Sequence, residues 1–159
     1  MSIVLDITEI STIIATAGVL VGVVYYIQIM RDQARTRHTD LVMRLYATYS
    51  ASEFQDAWTR IKKMDPNVDK ADIDDSDNKA LNQVCLFFEG IGILLKRRIV
   101  NHTMIEDLFG GSIKRAWEYV RKAIYRGRKE MNDPTIYYYF EYLYNEMKKR
   151  EQKLQRTKA

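Results

Sequence analysis

The chain opens with one long apolar run and continues with shorter amphipathic segments. Residues 10–30 contain no charged side chain. At about 1.5 Å of rise per residue, a helix of this length reaches roughly 30 Å, which matches the hydrocarbon core of a bilayer. The run therefore predicts a transmembrane anchor, preceded by a short tail at residues 1–9.

Charges on the two sides of this run predict its orientation. Asp6 and Glu9 precede it and no Lys or Arg does, whereas a cleavable signal peptide begins with basic residues. Basic residues follow the run at Arg31, Arg35, Arg37 and Arg44. By the positive-inside rule we expect a retained, single-pass anchor in the cell membrane, with the N-terminus outside and the C-terminal side in the cytoplasm.

Small residues share one face of the predicted anchor. They are Ser11, Ala15, Gly18 and Gly22. Gly18 and Gly22 form a GxxxG pattern, which lets two membrane helices approach closely and so indicates a homo-oligomer or docking to another membrane helix. The alternative is that glycine is simply common in membrane helices.

The remaining apolar positions recur at helical spacing, so residues 31–156 are predicted to form one cytoplasmic domain. We expect an all-α fold in which the anchor continues into a bundle of about four to five helices, with residues 157–159 as a frayed tail. The polar chain from Lys148 onward is expected to fray as well. The predicted core stripes are Phe54, Ala57, Trp58, Ile61 and Met64, then Ile113, Trp117, Val120, Ile124 and Met131, then Ile136, Phe140, Leu143 and Met147.

Polar signals predict where these helices begin. Capping boxes at 50–53 and 103–106 start two of them, the second a short helix that ends at Phe109. The glycines at 110–111 then precede a new helix whose first N–H groups favour an anion, although the phosphate-loop pattern is absent. An N-cap and first-turn proline at 133–134 open the last helix.

Residues 65–78 contain six Asp and one Lys and are predicted to form an acidic loop. Asp65, Asn67 and Asp69 have the first spacings of a calcium loop. However, Lys70 stands where such a loop needs glycine and Ser76 where it needs a bidentate glutamate. We therefore expect no metal site and no cofactor.

Glu89 is the one charge in the apolar stretch 84–95. A carboxylate in such surroundings must be paired, protonated or open to a cleft. Pairing with Arg44 or Arg115 would give Glu89 a structural role. A perturbed carboxylate pKa would not exclude this role, because ion-pair networks shift pKa values as functional sites do. A functional acid at Glu89 is the alternative.

Tyrosines crowd the last helix, and they cannot all lie on its apolar stripe. The candidate interaction surface consists of Tyr137, Tyr138, Tyr142 and Tyr144. Tyrosine is favoured at protein interfaces and at membrane boundaries. Filling a wide groove within the domain is an equally good explanation.

Net charge and cysteine content favour some classes of function over others. The net charge of +4 becomes +6 once Asp6 and Glu9, the only charges before Arg31, are set aside, which suits a domain beside an anionic leaflet. The basic charge is spread over several helix ends without a nucleic-acid-binding motif, so membrane lipid is favoured over nucleic acid. Cys85 is the single cysteine, and its apolar neighbours predict a raised pKa and a poor nucleophile.

Two segments carry a family resemblance. LFFEGIGILLKRRIVN at 86–101 and MIEDLFGGSIKRAWEYV at 104–120, behind an apolar anchor and a basic flank, resemble a family of small prokaryotic membrane-anchored helical proteins defined only as a domain of unknown function. The resemblance covers most of the chain and implies the fold and the single-pass topology. It implies no activity.

We expect a membrane-tethered interaction module, adaptor or regulatory, that assembles through its anchor and recruits a protein partner through its cytoplasmic helices. No catalytic residue is predicted, because the usual motifs, such as HExxH and GxSxG, are absent. One alternative is a membrane-associated enzyme or small-ligand sensor that uses Glu89. A second is membrane-tethered nucleic-acid binding.

Overall fold

The computed structural model describes residues 6–64 and 74–158, and these residues form five helices and no strand. The all-α prediction is therefore confirmed. The helices are α1 (Ile7–Ser50), α2 (Ser52–Lys63), α3 (Asp75–Lys96), α4 (His102–Glu130) and α5 (Tyr138–Lys158).

The first of two compact units ends at Leu41 and consists mainly of the apolar part of α1. Its stretch Glu9–Gln33 has a mean hydropathy of 2.0, is long and apolar enough to cross a membrane, and buries none of its most apolar window within the chain. Asp6 starts the helix, since its carboxylate accepts from the Ile7 N–H at 2.7 Å. Glu9 reaches back to accept from the Asp6 N–H at 3.3 Å, which is one of the two hydrogen bonds of a capping box.

The second unit begins at Val42 and is a helical bundle in which α3 packs most extensively against α5 and α2. Helix α2 runs antiparallel to α3. Phe54 near the start of α2 lies 4.7 Å, ring to ring, from Phe87, and Arg60 near its end pairs with Asp77 at 3.1 Å. Helix α4 packs against α5.

Aromatic side chains fill the centre of this bundle. Trp117 meets Phe140 edge to face at 5.1 Å, and Phe140 stacks on Phe88 at the same centroid distance. Tyr49 of α1 joins the cluster through Phe54 at 5.3 Å and Phe109 at 5.4 Å. The last two turns of α1 are therefore part of the domain core.

The apolar stripes predicted for α2, α4 and α5 are buried, with three exceptions. Met64 and Ile136 are half-buried. Met131 is exposed because it is the C-cap of α4, where the helix ends and its face no longer meets a neighbour.

Both predicted capping boxes are wrong. Helix α2 has Ala51 as its N-cap with no side-chain cap, and the Gln55 amide instead donates to the Tyr49 carbonyl at 2.6 Å. Helix α4 begins one residue before Thr103, because the Asn101 side chain accepts from the Thr103 N–H at 2.8 Å. Asn101 thus takes the capping role predicted for Thr103, whereas no side chain caps α2.

The break predicted at 110–112 does not occur, because α4 continues through it. Gly110 and Ser112 are buried, and the Ser112 hydroxyl hydrogen-bonds that of Tyr49 at 2.8 Å. Packing against α1 thus offsets the roughly 1 kcal/mol that each glycine costs a helix. No helix starts there, so the predicted anion site is lost.

Three further boundaries differ. The predicted loop 65–78 ends earlier, because Asp74 caps α3 by accepting from the Asp77 N–H at 2.7 Å. Helix α5 begins at Tyr138 and not at 133–134, since Asp133 accepts from the Thr135 N–H and holds a separate turn. The helix also continues to Lys158, beyond the predicted end of the domain.

Candidate functional site

The buried carboxylate predicted at Glu89 lies where α3 meets the start of α5. Its Oε2 accepts from the Phe140 N–H at 2.6 Å. The structure thus gives Glu89 a backbone N–H as its partner, where a cation such as Arg44 or Arg115 was predicted. A first-turn N–H of a helix satisfies a carboxylate as a cation does, and the helix dipole adds to the attraction. Glu89 is therefore a cap that α3 supplies to α5.

The two helices approach each other closely at Gly92. A Cβ atom built on Gly92 would overlap the carbonyl oxygen of Tyr139 and lie 2.6 Å from its carbonyl carbon. Gly90, two residues earlier, has nothing within 4 Å of such an atom. The close approach of α3 and α5 therefore occurs at Gly92 and not at Gly90.

Tyr137 precedes α5 in the left-handed region at φ 50° and is half-buried. Its hydroxyl donates to the Asn82 Oδ1 of α3 at 2.8 Å. Burial is the main cause that raises the pKa of Tyr137 to about 12, and the neighbouring Cys85 and Glu89 act in the same direction. Burial, and then the charge of Glu89, also raise the pKa of the Cys85 thiol, which is the direction predicted from its apolar neighbours.

A cavity of about 250 Å³ lies beside this junction. Its lining is mainly apolar, with Leu81, Ile124 and Ile136 on three different segments, and Asn82 and Tyr137 at its polar edge. Glu89 does not line it. A pocket of this kind suits a small apolar group with one hydrogen-bonding end.

Sequence reasoning missed a polar network that joins the end of α4 to α5. The Arg128 guanidinium donates to the Ile136 carbonyl at 2.8 Å and to the Glu141 carboxylate at 2.6 Å. The Tyr125 hydroxyl donates to the same carboxylate at 2.7 Å. Burial opposes ionisation of Glu141, but the hydrogen bonds from Arg128 and Tyr125 outweigh it and lower the pKa of this carboxyl.

This network predicts a loss of stability in acid. Because the pKa of Glu141 is lower in the folded protein than its ordinary value of 4.5, its stabilisation is complete above that value and is lost as the pH falls through the lowered pKa. We expect Glu141→Gln to lower the melting temperature at pH 7 by a few degrees, about 1 kcal/mol, and to flatten its fall between about pH 5 and pH 3. Thermal melts across this range test the prediction. The exposed Glu53→Gln is the matched control, and an equal change in both variants would contradict it.

Most of the predicted tyrosine surface is used within the domain. Tyr144 stacks on Trp117 at 5.7 Å and donates to Glu118 at 2.7 Å, and Tyr142 lies under the Lys96 amine at 4.9 Å. Only Tyr138 of the four predicted residues is exposed, at 50 %. Three of the four tyrosines therefore fit the alternative explanation, in which they fill space within the domain.

The small-residue face of α1 is uncovered in the isolated chain. Ser11, Ala15, Gly18 and Gly22 are all exposed. A Cβ atom on Gly18 or Gly22 would meet nothing within 4 Å. This face is accessible to a second membrane helix.

Metal ligation finds no support in residues 6–64 and 74–158, where no group of three or more His, Cys, Asp or Glu is placed to hold an ion. The calcium-like spacing of Asp65, Asn67 and Asp69 lies outside the described residues.

Comparison with known families identifies a match over most of the chain. The profile described as "Domain of unknown function (DUF4760)" matches residues 12–147. The chain belongs to the DUF4760 family. The match begins inside the apolar stretch of α1 and ends in α5, so the DUF4760 pattern includes most of the predicted anchor together with the bundle.

Two other comparisons give no match. Neither a curated protein nor a solved structure is significantly similar to this DUF4760 chain. Glu89, Gly92 and Tyr137 all lie within the part of the chain that matches DUF4760.

Proposed function

We propose that this DUF4760 protein is a membrane-anchored interaction module. The observation that carries the proposal is the uncovered apolar stretch Glu9–Gln33. Val19 at its centre is 66 % exposed within the chain. An apolar surface of this length has no stable place in water, and a bilayer covers it completely.

The charges on the two sides of the uncharged run at residues 10–30 support an orientation for this anchor. Asp6 and Glu9 precede the run, and Arg31 is the first of the basic residues that follow it. The bundle from Val42 onward then lies on the cytoplasmic side. It is a well-packed body held at the membrane surface.

Two uncovered surfaces support assembly and recruitment. The first is the small-residue face around Gly18 and Gly22. The second lies at the junction of α3 and α5, where Leu86 is 62 % exposed and Tyr138 is also exposed. Leu86 lies one helical turn from Asn82, which accepts the Tyr137 hydroxyl. We assign self-association to the first surface and a protein partner to the second.

Purification from native membranes in a mild detergent tests both assignments. We expect a stoichiometric partner by mass spectrometry and a homo-oligomer by light scattering. Leu86→Ser is expected to release the partner, whereas Gln83→Ser, exposed on the same helix, retains it. A protein that elutes alone would contradict recruitment.

Self-association has its own matched variants. Gly18→Ile with Gly22→Ile is expected to raise the dissociation constant of the oligomer about tenfold, on the order of 1.4 kcal/mol, because the helices no longer approach closely. Leu20→Ile with Val24→Ile changes the opposite face of the same helix and serves as the control. Sedimentation in detergent measures both. Equal weakening by the two pairs, or by neither, would contradict dimerisation through the glycine face.

The same purification separates the alternative functions. An absorbance ratio at 260 and 280 nm typical of nucleic acid would favour nucleic-acid binding, with the steep salt dependence that such binding requires. A ligand-sensing or catalytic role for Glu89 requires its carboxylate to be free for chemistry. The hydrogen bond to the Phe140 N–H argues instead for the capping role.

A further inference from the structure

The two ends of the bundle differ in charge. The end formed by the α3–α4 turn carries Lys96, Arg97 and Arg98 in succession, and all three are exposed. Two of the nearby acids on α4 and α5 are paired with other basic residues, and Asp107 of α4 is exposed. Glu106 accepts from Arg150 at 2.6 Å and Glu146 from Lys149 at 2.9 Å.

At the opposite end, where α3 begins, acidic and basic side chains are mixed. Asp74, Asp75 and Asp77 lie beside the end of α2. Arg60 of α2 pairs with Asp77 there at 3.1 Å. The α3–α4 turn therefore presents three successive exposed basic side chains with no acid among them.

The chain enters the bundle at this same basic end. Tyr46 packs on Phe109 of α4, and Tyr49 then hydrogen-bonds Ser112, so α1 runs parallel to α4 here. Val42, one turn before Tyr46, is accordingly level with the start of α4, which directly follows the basic turn. The apolar stretch ends at Gln33. Gln33 is nine residues before Val42 in the sequence, so only a short segment connects the apolar stretch to the domain.

The backbone of the turn adds a second observation. Helix α3 ends in a Schellman motif, with the Ile99 N–H bonded to the Leu94 carbonyl at 2.9 Å. Its left-handed position, at φ 57°, is occupied by Arg98, where glycine is usually found. Helix α4 ends in the same motif with Asn132, a residue that tolerates this conformation. At the end of α3, Arg98 therefore adopts a left-handed backbone conformation that is unfavourable for a residue with a side chain.

We propose that the basic turn formed by Lys96, Arg97 and Arg98 rests on the anionic headgroups of the membrane that holds α1. Phosphate oxygens of the lipid accept from the guanidinium groups of Arg97 and Arg98, which have no acidic partner among the described residues. Ile99, 39 % exposed beside them, inserts into the apolar boundary of the headgroup layer. This inference rests on the proposed membrane anchor, and it specifies which surface of the domain faces the lipid.

Fluorescence quenching in nanodiscs tests the inference with the full chain. A fluorophore is attached to Gln152→Cys, exposed on α5 near the basic end, or to Asn78→Cys at the opposite end. The native Cys85 is buried and does not compete for the label. The discs contain phosphatidylcholine with or without phosphatidylglycerol, together with a lipid that carries a nitroxide on its headgroup.

We expect strong quenching at Gln152→Cys and weak quenching at Asn78→Cys in anionic discs. The triple change Lys96→Gln, Arg97→Gln and Arg98→Gln is expected to remove most of this difference. The control is Lys62→Gln with Lys63→Gln at the end of α2, which removes two exposed charges from the other end of the bundle. This control is expected to leave the difference in quenching unchanged. Raising the salt from about 0.1 M to about 1 M shortens the Debye length from about 10 Å to about 3 Å and has the effect of the triple change.

Equal quenching at the two sites, or quenching independent of lipid charge, would overturn the inference while the anchor stands. Failure of the protein to co-elute with the discs would overturn the anchor and the inference together. An RNA oligonucleotide bound through the same three residues, without headgroup quenching, would assign the basic turn to nucleic acid and overturn the lipid assignment.

Discussion

Replacing Gly92 by alanine is expected to destabilise the bundle by about 3 kcal/mol, the largest effect of a single methyl group in this domain. The added Cβ atom would overlap the backbone of Tyr139. Because the obstacle is backbone and not the tip of a flexible side chain, α3 and α5 must move apart. For a domain of this size the melting temperature should fall by roughly 10 °C.

Gly90→Ala is the matched control for this change. It adds the same methyl group to the same helix, two residues away, where nothing lies within 4 Å. Alanine favours a helix over glycine by up to about 1 kcal/mol, so this variant should be slightly more stable than the parent. Thermal melts by circular dichroism measure both. Two changes of the same sign would contradict the close approach of α3 and α5 at Gly92.

Replacing Glu89 by alanine is expected to cost about 2 kcal/mol. The change removes the acceptor from the Phe140 N–H and leaves the first turn of α5 without its cap. Glu89→Gln retains an oxygen acceptor and loses only the attraction of the charge to the helix dipole. Its expected cost is about 0.5 kcal/mol.

Denaturant titrations of the two variants separate a structural carboxylate from a functional one. Gln83→Ala, exposed on the same helix, controls for the change in helix preference. A capping role predicts that Glu89→Ala costs clearly more than Glu89→Gln, and that amide exchange at Phe140 accelerates. Full stability of Glu89→Ala would show that the cap is not needed and would return Glu89 to the candidate functional residues.

The periodic part of the fold was predictable from sequence. The buried faces of α2 and α4 follow the three- and four-residue spacing of residues such as Phe54, Trp58 and Trp117, because one apolar face is sufficient to direct a helix into a core. The uncovered apolar stretch of α1 was predictable for the same reason, from length and hydropathy alone.

Contacts between distant segments were not predictable. The hydrogen bond between Glu89 and a backbone N–H forms only because α5 lies close to α3. Gly92 permits that close approach, and this contact is visible only in the three-dimensional structure. The continuation of α4 through its glycines likewise depends on Tyr49, more than sixty residues earlier in the chain. Local preference gave the wrong answer at both places because tertiary packing outweighed it.

Some missed features did have a local signal. Asp6 and Glu9 have the spacing of a capping box, and the Glu9 carboxylate accepts from the Asp6 N–H as that motif requires. The basic run at 96–98 is also visible in the sequence. Its position at the end where the chain enters the bundle follows only from the ring contact between Tyr46 and Phe109.

The central claim, that lipid covers the apolar stretch of α1, is tested most directly by thiol labelling in native membranes. Val19→Cys and Asn78→Cys are both exposed positions in the isolated chain. A water-soluble maleimide is expected to label Asn78→Cys in permeabilised cells and to leave Val19→Cys unlabelled until the membrane is dissolved in a denaturing detergent. Rapid labelling of Val19→Cys in intact membranes, at the rate of Asn78→Cys, would contradict the claim.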